Sequence, residues 1–183
     1  NWGKETFEPD YGDPIFLENL NNFHAEFAKR YDGKPWLDWI EMGSYGEWGE
    51  GHTSRSSKTA WPNSVMKQHV DIHLRHYTKS RLVASEDFLH HRSKEEAAEL
   101  RAYMESHDIS WRDDSILVGW YVENYLETHT LKMPEVFAET WQKRPTVLEL
   151  QHYHAIINDG NWKGLDGSER GADIFRGACE IMR

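Results

Sequence analysis

A chain of 183 residues in which 38% are hydrophobic and 28% charged can bury a core and has an ordinary globular balance, which speaks against disorder and against a disulfide-built scaffold. With 31 acidic against 21 basic residues the formal charge is -10, and no Lys and Arg cluster interleaves with aromatic residues, so nucleic acid is not an expected partner. No apolar run approaches the roughly 20 residues needed to span a bilayer, and no membrane partner is expected either.

The first element signal is Asp13-Pro14, an N-cap followed by proline at the first helical position. Phe16, Leu20, Phe23 and Phe27 then recur on one face, predicting an amphipathic helix that ends at Gly33. Residues 36–43 are aromatic and aliphatic without a helical period and run into Gly43-Ser44-Tyr45-Gly46, the pattern of a buried strand followed by a loop. Pro62 opens a second helix through about Tyr77, and residues 81–85 form a short strand ending at Glu86-Asp87. Ser93 with Glu96 is a capping-box pair for a third helix whose apolar face is Ala97, Leu100 and Met104. A strand around residues 109–111 ends at Asp113-Asp114. Pro134 opens a fourth helix through about Gln142, residues 146–150 are the next strand, and residues 166–182 close the chain as a helix carrying Ile174, Phe175, Ala178, Ile181 and Met182.

That alternation of about four strands and five helices predicts the α/β class, with parallel strands joined by right-handed crossovers. No repeat, linker or low-complexity tract divides the chain, so residues 1–183 read as a single domain. A closed eight-stranded barrel takes about 250 residues, which makes the expectation a partial (β/α) barrel of TIM type. The opening Asn1-Trp2-Gly3, with neither an initiator Met nor a signal peptide, fits a chain whose natural start lies upstream. The remainder of the barrel or a second copy is then an expected partner. A lone cysteine, Cys179, cannot close an internal disulfide and leaves the compartment open, with a secreted or periplasmic location favoured.

Ligand sites of parallel α/β folds lie beyond the carboxyl ends of the strands. Here each predicted strand ends in acid: Glu47 and Glu50 after the first, Glu86 and Asp87 after the second, Asp113 and Asp114 after the third, Glu149 at the fourth. Helix caps in the following loops also favour Asp and account equally well for Asp87, Asp113 and Asp114. Glu149 sits within an apolar strand, where an unpartnered carboxylate is costly, so function or a salt bridge must accompany it. Carboxylates at separate strand ends suit glycosidic bond cleavage, in which one protonates the leaving oxygen and another acts as nucleophile or activates water. Nine tryptophans add flat apolar faces that match pyranose rings, and Trp48 stands inside the Gly46-Glu47-Trp48-Gly49-Glu50 turn itself.

The run Gly43-Ser44-Tyr45-Gly46-Glu47-Trp48-Gly49-Glu50-Gly51-His52-Thr53 resembles the G-x-W-G-E-W-H-T signature of uncharacterised bacterial glycoside-hydrolase-like barrels, distant relatives of the family 42 β-galactosidases. Weaker support comes from Pro9-Asp10-Tyr11-Gly12-Asp13-Pro14, Arg30-Tyr31-Asp32-Gly33-Lys34-Pro35, Asp113-Asp114-Ser115 and Arg144-Pro145-Thr146-Val147-Leu148-Glu149. The resemblance implies that the first strand here corresponds to the barrel's fourth, which holds the acid/base, and the fourth to its seventh, which holds the nucleophile. Glu50 matches the motif's glutamate, and Glu47 falls at a variable position. Gly51 stands where the pattern often has Trp, and Gly49 where the clan usually has Asn before the acid/base.

The expected function is therefore a glycoside hydrolase of poly- or oligosaccharides, with Glu50 as acid/base, Glu149 as nucleophile or base and Glu47 in reserve. His52, Trp48, Tyr45, Glu86, Asp113 and Asp114 are the expected carbohydrate contacts, and no cofactor or metal is assigned. A non-catalytic carbohydrate binder gripping glycan through Trp48, Tyr45 and Trp120 is the alternative from another class. A metal-dependent barrel hydrolase or isomerase is a third reading, because His152 and His154 follow Glu149 and could join it or Asp113 around an ion. His69, His73 and His76, spaced i, i+4 and i+7, are expected on a solvated helix face.

Overall fold

The computed structural model of the chain describes residues 8–164 and 166–182. It falls into two compact units, residues 1–109 and 110–183, each of mixed α/β class with its own parallel pair of strands. Among the described residues no helix is long and apolar enough to cross a membrane.

The first unit runs α1 (Pro14–Tyr31), β1 (Trp39–Glu41), α2 (Asn63–His76), β2 (Arg81–Ser85) and α3 (Lys94–Ser106). β1 and β2 pair in parallel, Ile40 opposite Leu82, as expected for strands separated by a helix. α1 begins as anticipated: the Asp13 carboxylate accepts the N–H groups of Ile15 and Phe16 at 2.7 and 3.1 Å, satisfying donors that a helix start leaves open. The capping box of α3 is also present, with Glu96 N–H on Ser93 Oγ at 3.2 Å and Ser93 N–H on the Glu96 carboxylate at 3.1 Å. β2 is buried from Leu82 to Ser85, whereas β1 has only three residues and exposes Trp39 and Glu41, unlike the buried strand expected over 36–43.

The inner face of α1 also differs from the expected one. His24 and Ala28 are its buried residues, while Phe23 is 58% exposed. Phe23 and Phe27 line, with Leu20, Trp39, Ile40 and Tyr77, an open cavity of about 370 Å³ beside β1. The inward His24 has its polar partner: Nδ1 lies 2.8 Å from the Tyr77 hydroxyl.

Two of the three histidines of α2 do not face solvent, and His76 is partly exposed. His69 and His73 are buried, because their i, i+4 spacing places both on the side that packs against α1. His69 bridges the Ser44 hydroxyl through Nδ1 at 2.9 Å and the Tyr11 carbonyl through Nε2 at 2.8 Å. His73 Nδ1 donates to the His69 carbonyl at 2.8 Å, and its ring lies 4.1 Å from that of His24. These rings are core residues with internal polar partners, which is what makes their burial tolerable.

The second unit runs β3 (Ser110–Ile116), α4 (Gly119–Thr128), α5 (Pro134–Thr140), β4 (Val147–Leu150), α6 (Tyr153–Asn158) and α7 (Arg170–Ile181). Parallel pairing sets Arg112 opposite Val147 and Asp113 opposite Leu148, with a bulge between Asp113 and Ile116. β3 therefore continues through Asp113 and Asp114 instead of ending at them. It stops beyond the bulge, where Ser115 and Leu117 take φ values of 50° and 73°. β4 lies where expected but exposes Glu149 and Leu150. α4 and α6 have no side-chain cap at their starts, and the sequence carries no start signal for them.

Burial drives the pKa of His24 down to about 4 and that of His73 down to about 3, against 6.5 for a free imidazole. The folded state refuses protons that the unfolded chain takes up, so stability is intact above pH 6.5 and falls as pH drops below it. Urea unfolding followed by circular dichroism is expected to show a loss of about 2–4 kcal/mol between pH 7 and pH 5, and His73→Leu is expected to flatten that dependence.

Candidate functional site

After β1 the chain enters a tight turn in which Gly46, Trp48, Gly49 and Gly51 have φ values of 82°, 54°, 81° and 92°. Glu47 N–H donates to the His52 carbonyl at 2.8 Å and Gly51 N–H to the Tyr45 carbonyl at 3.0 Å, closing residues 45–52 on themselves. A Cβ at Gly49 would stand 2.5 Å from the Gly43 carbonyl oxygen, and one at Gly51 only 2.1 Å from the Phe88 ring. Both positions require glycine for clearance as well as for conformation.

The turn gathers Glu47, Glu50 and His52. His52 Nδ1 lies 3.7 Å from a Glu47 oxygen, and Nε2 lies 3.5 Å from Glu50 Oε2. From the short 3-10 turn Glu86–Leu89 that follows β2, Asp87 brings Oδ2 to 3.6 Å from the same Nε2. Its other oxygen, Oδ1, pairs with His90 Nδ1. Glu47 is held by the Arg55 N–H, which donates to its second oxygen at 2.8 Å.

Ser54 N–H donates to His52 Nδ1 at 3.3 Å, with the Ser54 hydroxyl at 2.8 Å from the same atom. In the neutral ring Nδ1 is thus the acceptor and Nε2 carries the proton, aimed at Glu50 and Asp87. Contact with Glu50 raises the imidazole pKa; burial works against this, and the charges of Asp87 and Glu47 add to the rise. A raised folded pKa contributes stability that is complete below 6.5 and lost as pH rises through the folded value, opposite in sense to His24 and His73.

Donor atoms of Glu50, His52 and Asp87 lie within 4.8 Å of one another, as do those of Glu86, Asp87 and His90. A divalent cation could use such spacing, but a protonated Nε2 meets the carboxylates as a donor, not as a ligand. None of the metal-capable groups among the described residues contains His152 or His154, whose rings stack on each other 6.1 Å apart.

Trp48 presents its indole 62% exposed at the tip of the turn, edge-on to His52 at 5.8 Å and with the Arg55 guanidinium 5.4 Å from the ring. It is a flat apolar platform beside the carboxylates. Tyr45 is not: at 1% exposure it packs against Tyr11 and Phe88, and its hydroxyl accepts the Trp61 N–H at 3.3 Å. The expectation that Tyr45 grips a sugar is corrected, because closing the turn drives its ring into the core. Glu86 is fully buried at the end of β2, with the Ser85 hydroxyl 3.5 Å from its carboxylate.

In the second unit, Arg112 pairs with both Asp114 and Glu149. Successive strand residues point to opposite faces, so Asp114 shares a face with Arg112 while Asp113 turns away and accepts the Tyr121 hydroxyl at 2.6 Å. Asp113 is fully buried and Asp114 nearly so, but Glu149 is 47% exposed. The salt bridge anticipated for Glu149 is present, although burial is not the reason for it. Asp87 now stands at the centre of the first cluster, where a helix-cap role had explained it equally well. The sequence alone gives little reason to pick out His90; its one signal is its position three residues after Asp87.

Comparison of the chain with family models, with curated proteins and with solved structures finds no match.

Gly49→Ala is expected to destabilise the chain by about 1–3 kcal/mol or more, since both the positive φ and the Gly43 carbonyl oppose a side chain. Arg112→Met leaves the buried Asp114 without its guanidinium and is expected to cost about 3–5 kcal/mol, read from the urea midpoint.

Proposed function

We propose that this chain is a glycoside hydrolase acting on poly- or oligosaccharides, built as part of a (β/α) barrel, with Glu50 as general acid/base and Glu149 as nucleophile or base. The observation that carries the reading is the placement of Glu50, a half-buried carboxylate beside the His52 Nε2 proton, on the turn that also presents the Trp48 indole. Such a carboxylate can deliver a proton to a glycosidic oxygen while a pyranose lies against the indole. Glu149 supports the second role: it is exposed, and its Arg112 partner can hold the carboxylate in place as it meets carbon or water. Alternation of helices with parallel strand pairs supports the barrel, which the remainder of such a fold or a second copy would complete.

Glu50→Gln and Glu149→Gln, assayed on polysaccharides and on aryl glycosides, test the assignment. Glu50→Gln is expected to lower kcat by about 10²- to 10⁴-fold on substrates with a poor leaving group. The loss should be far smaller on a dinitrophenyl glycoside, whose departing phenolate needs no proton. Glu149→Gln is expected to abolish turnover on both. Tight carbohydrate binding by the wild type with no turnover of any substrate would replace the enzyme by a carbohydrate-binding module.

A further inference from the structure

Glu50 is not held by His52 alone. His52 is itself met at the same nitrogen by Asp87, and Asp87 is gripped at its opposite oxygen by His90. Asp87 and His90 are three residues apart, and in a 3-10 turn residues i and i+3 eclipse, so the segment after β2 stacks the two side chains by its geometry. The Asp87 N–H is tied to the Ser85 hydroxyl at 3.2 Å and its carbonyl accepts the His90 N–H at 3.0 Å, which fixes the backbone under both. Nearly buried, Asp87 has little freedom to swing away.

We propose that Asp87 and His90 are positioning residues for the acid/base: His90 orients the Asp87 carboxylate, Asp87 holds the His52 imidazole with its Nε2–H toward Glu50, and Glu50 is thereby aimed. This rests on the reading of Glu50 as the acid/base. The chain of contacts leaves a division of labour between the two oxygens of each carboxylate. Oδ1 of Asp87 takes His90 and Oδ2 takes His52, while Oε2 of Glu50 takes His52 and Oε1 is left to exchange a proton with the glycosidic oxygen. Ser54 N–H, 3.3 Å from Nδ1, favours the same tautomer from the other side, a long bond that adds to Asp87 and Glu50 without replacing them.

Asp87→Asn, His90→Ala and His90→Asn test the chain, with two readouts for each. Imidazole nitrogen NMR is expected to show His52 as the single Nε2–H tautomer in the wild type and as a mixture in Asp87→Asn and His90→Ala. His90→Asn keeps an N–H near the position of Nδ1 and is expected to recover most of the wild-type signal. In steady-state assays, Asp87→Asn and His90→Ala are expected to lower kcat by about 10- to 100-fold with KM within about twofold, and His90→Asn to recover most of that loss. An unchanged tautomer and an unchanged kcat in His90→Ala overturn the proposal. If Glu50→Gln removes turnover while His90→Ala behaves as wild type, the acid/base assignment stands and the positioning chain falls. If the tautomers shift as stated but the wild type turns over no glycoside, the chain stands and the hydrolase reading falls.

Discussion

Between Tyr45 and His52 the backbone reverses through four residues of positive φ, and the bonds from Glu47 N–H to the His52 carbonyl and from Gly51 N–H to the Tyr45 carbonyl form only because it does. The contacts that Glu47 and Glu50 make with His52 follow from that closure. It lays Glu47 and Glu50 along the two nitrogens of one imidazole, leaves the Trp48 indole outside, and sends the Tyr45 ring into the aromatic cluster of Tyr11 and Phe88. The turn is anchored as well as closed. Ser44 hydrogen-bonds His69, and His69 bonds the carbonyl of Tyr11, so the face of α2 that packs on α1 also holds the loop carrying the carboxylates.

The histidines of the first unit divide by environment. His24, His69 and His73 have polar partners but, among the described residues, no carboxylate, and burial keeps them neutral. His52 is also largely buried, yet three carboxylates surround it and reverse the outcome. The same side chain thus serves as a neutral core hydrogen-bonding group in one place and as a cationic or proton-bearing group in another, a few residues of contact apart. Acidification acts on the two kinds with opposite sign and in sequence: the carboxylate cluster gains its countercharge as pH falls toward 6.5, and the scaffold weakens below that value.

What was legible in the sequence was local. Asp13-Pro14, the Ser93 and Glu96 pair, and the apolar run 81–85 specify their elements through interactions a few residues long, and each element forms where those signals stand. The inner face of α1 was not legible, since Phe16, Leu20, Phe23 and Phe27 outweigh a histidine on any hydrophobicity count; the histidine's partner, Tyr77, is remote in sequence. α4 and α6 lack caps, and the bulge that carries β3 through Asp113 and Asp114 depends on its pairing with β4. In the site, Glu50 and His52 could be read from one motif, whereas the bond between Asp87 and His90 becomes visible only once residues 86–89 are known to form a 3-10 turn.

Gly51 links the turn to that same segment. Its Cα faces the Phe88 ring with no space for even a methyl group. A sequence with tryptophan there cannot keep both phenylalanine at 88 and this path of the backbone. Residues 51 and 88 are therefore expected to vary together among related chains: glycine with a large ring, or a large ring with something small. The side chain that fills this gap then comes from the loop after β2 in one case and from the loop after β1 in the other. Which loop supplies it decides whether the space beside the carboxylates is walled by a ring fixed in the core or by one free to meet a ligand.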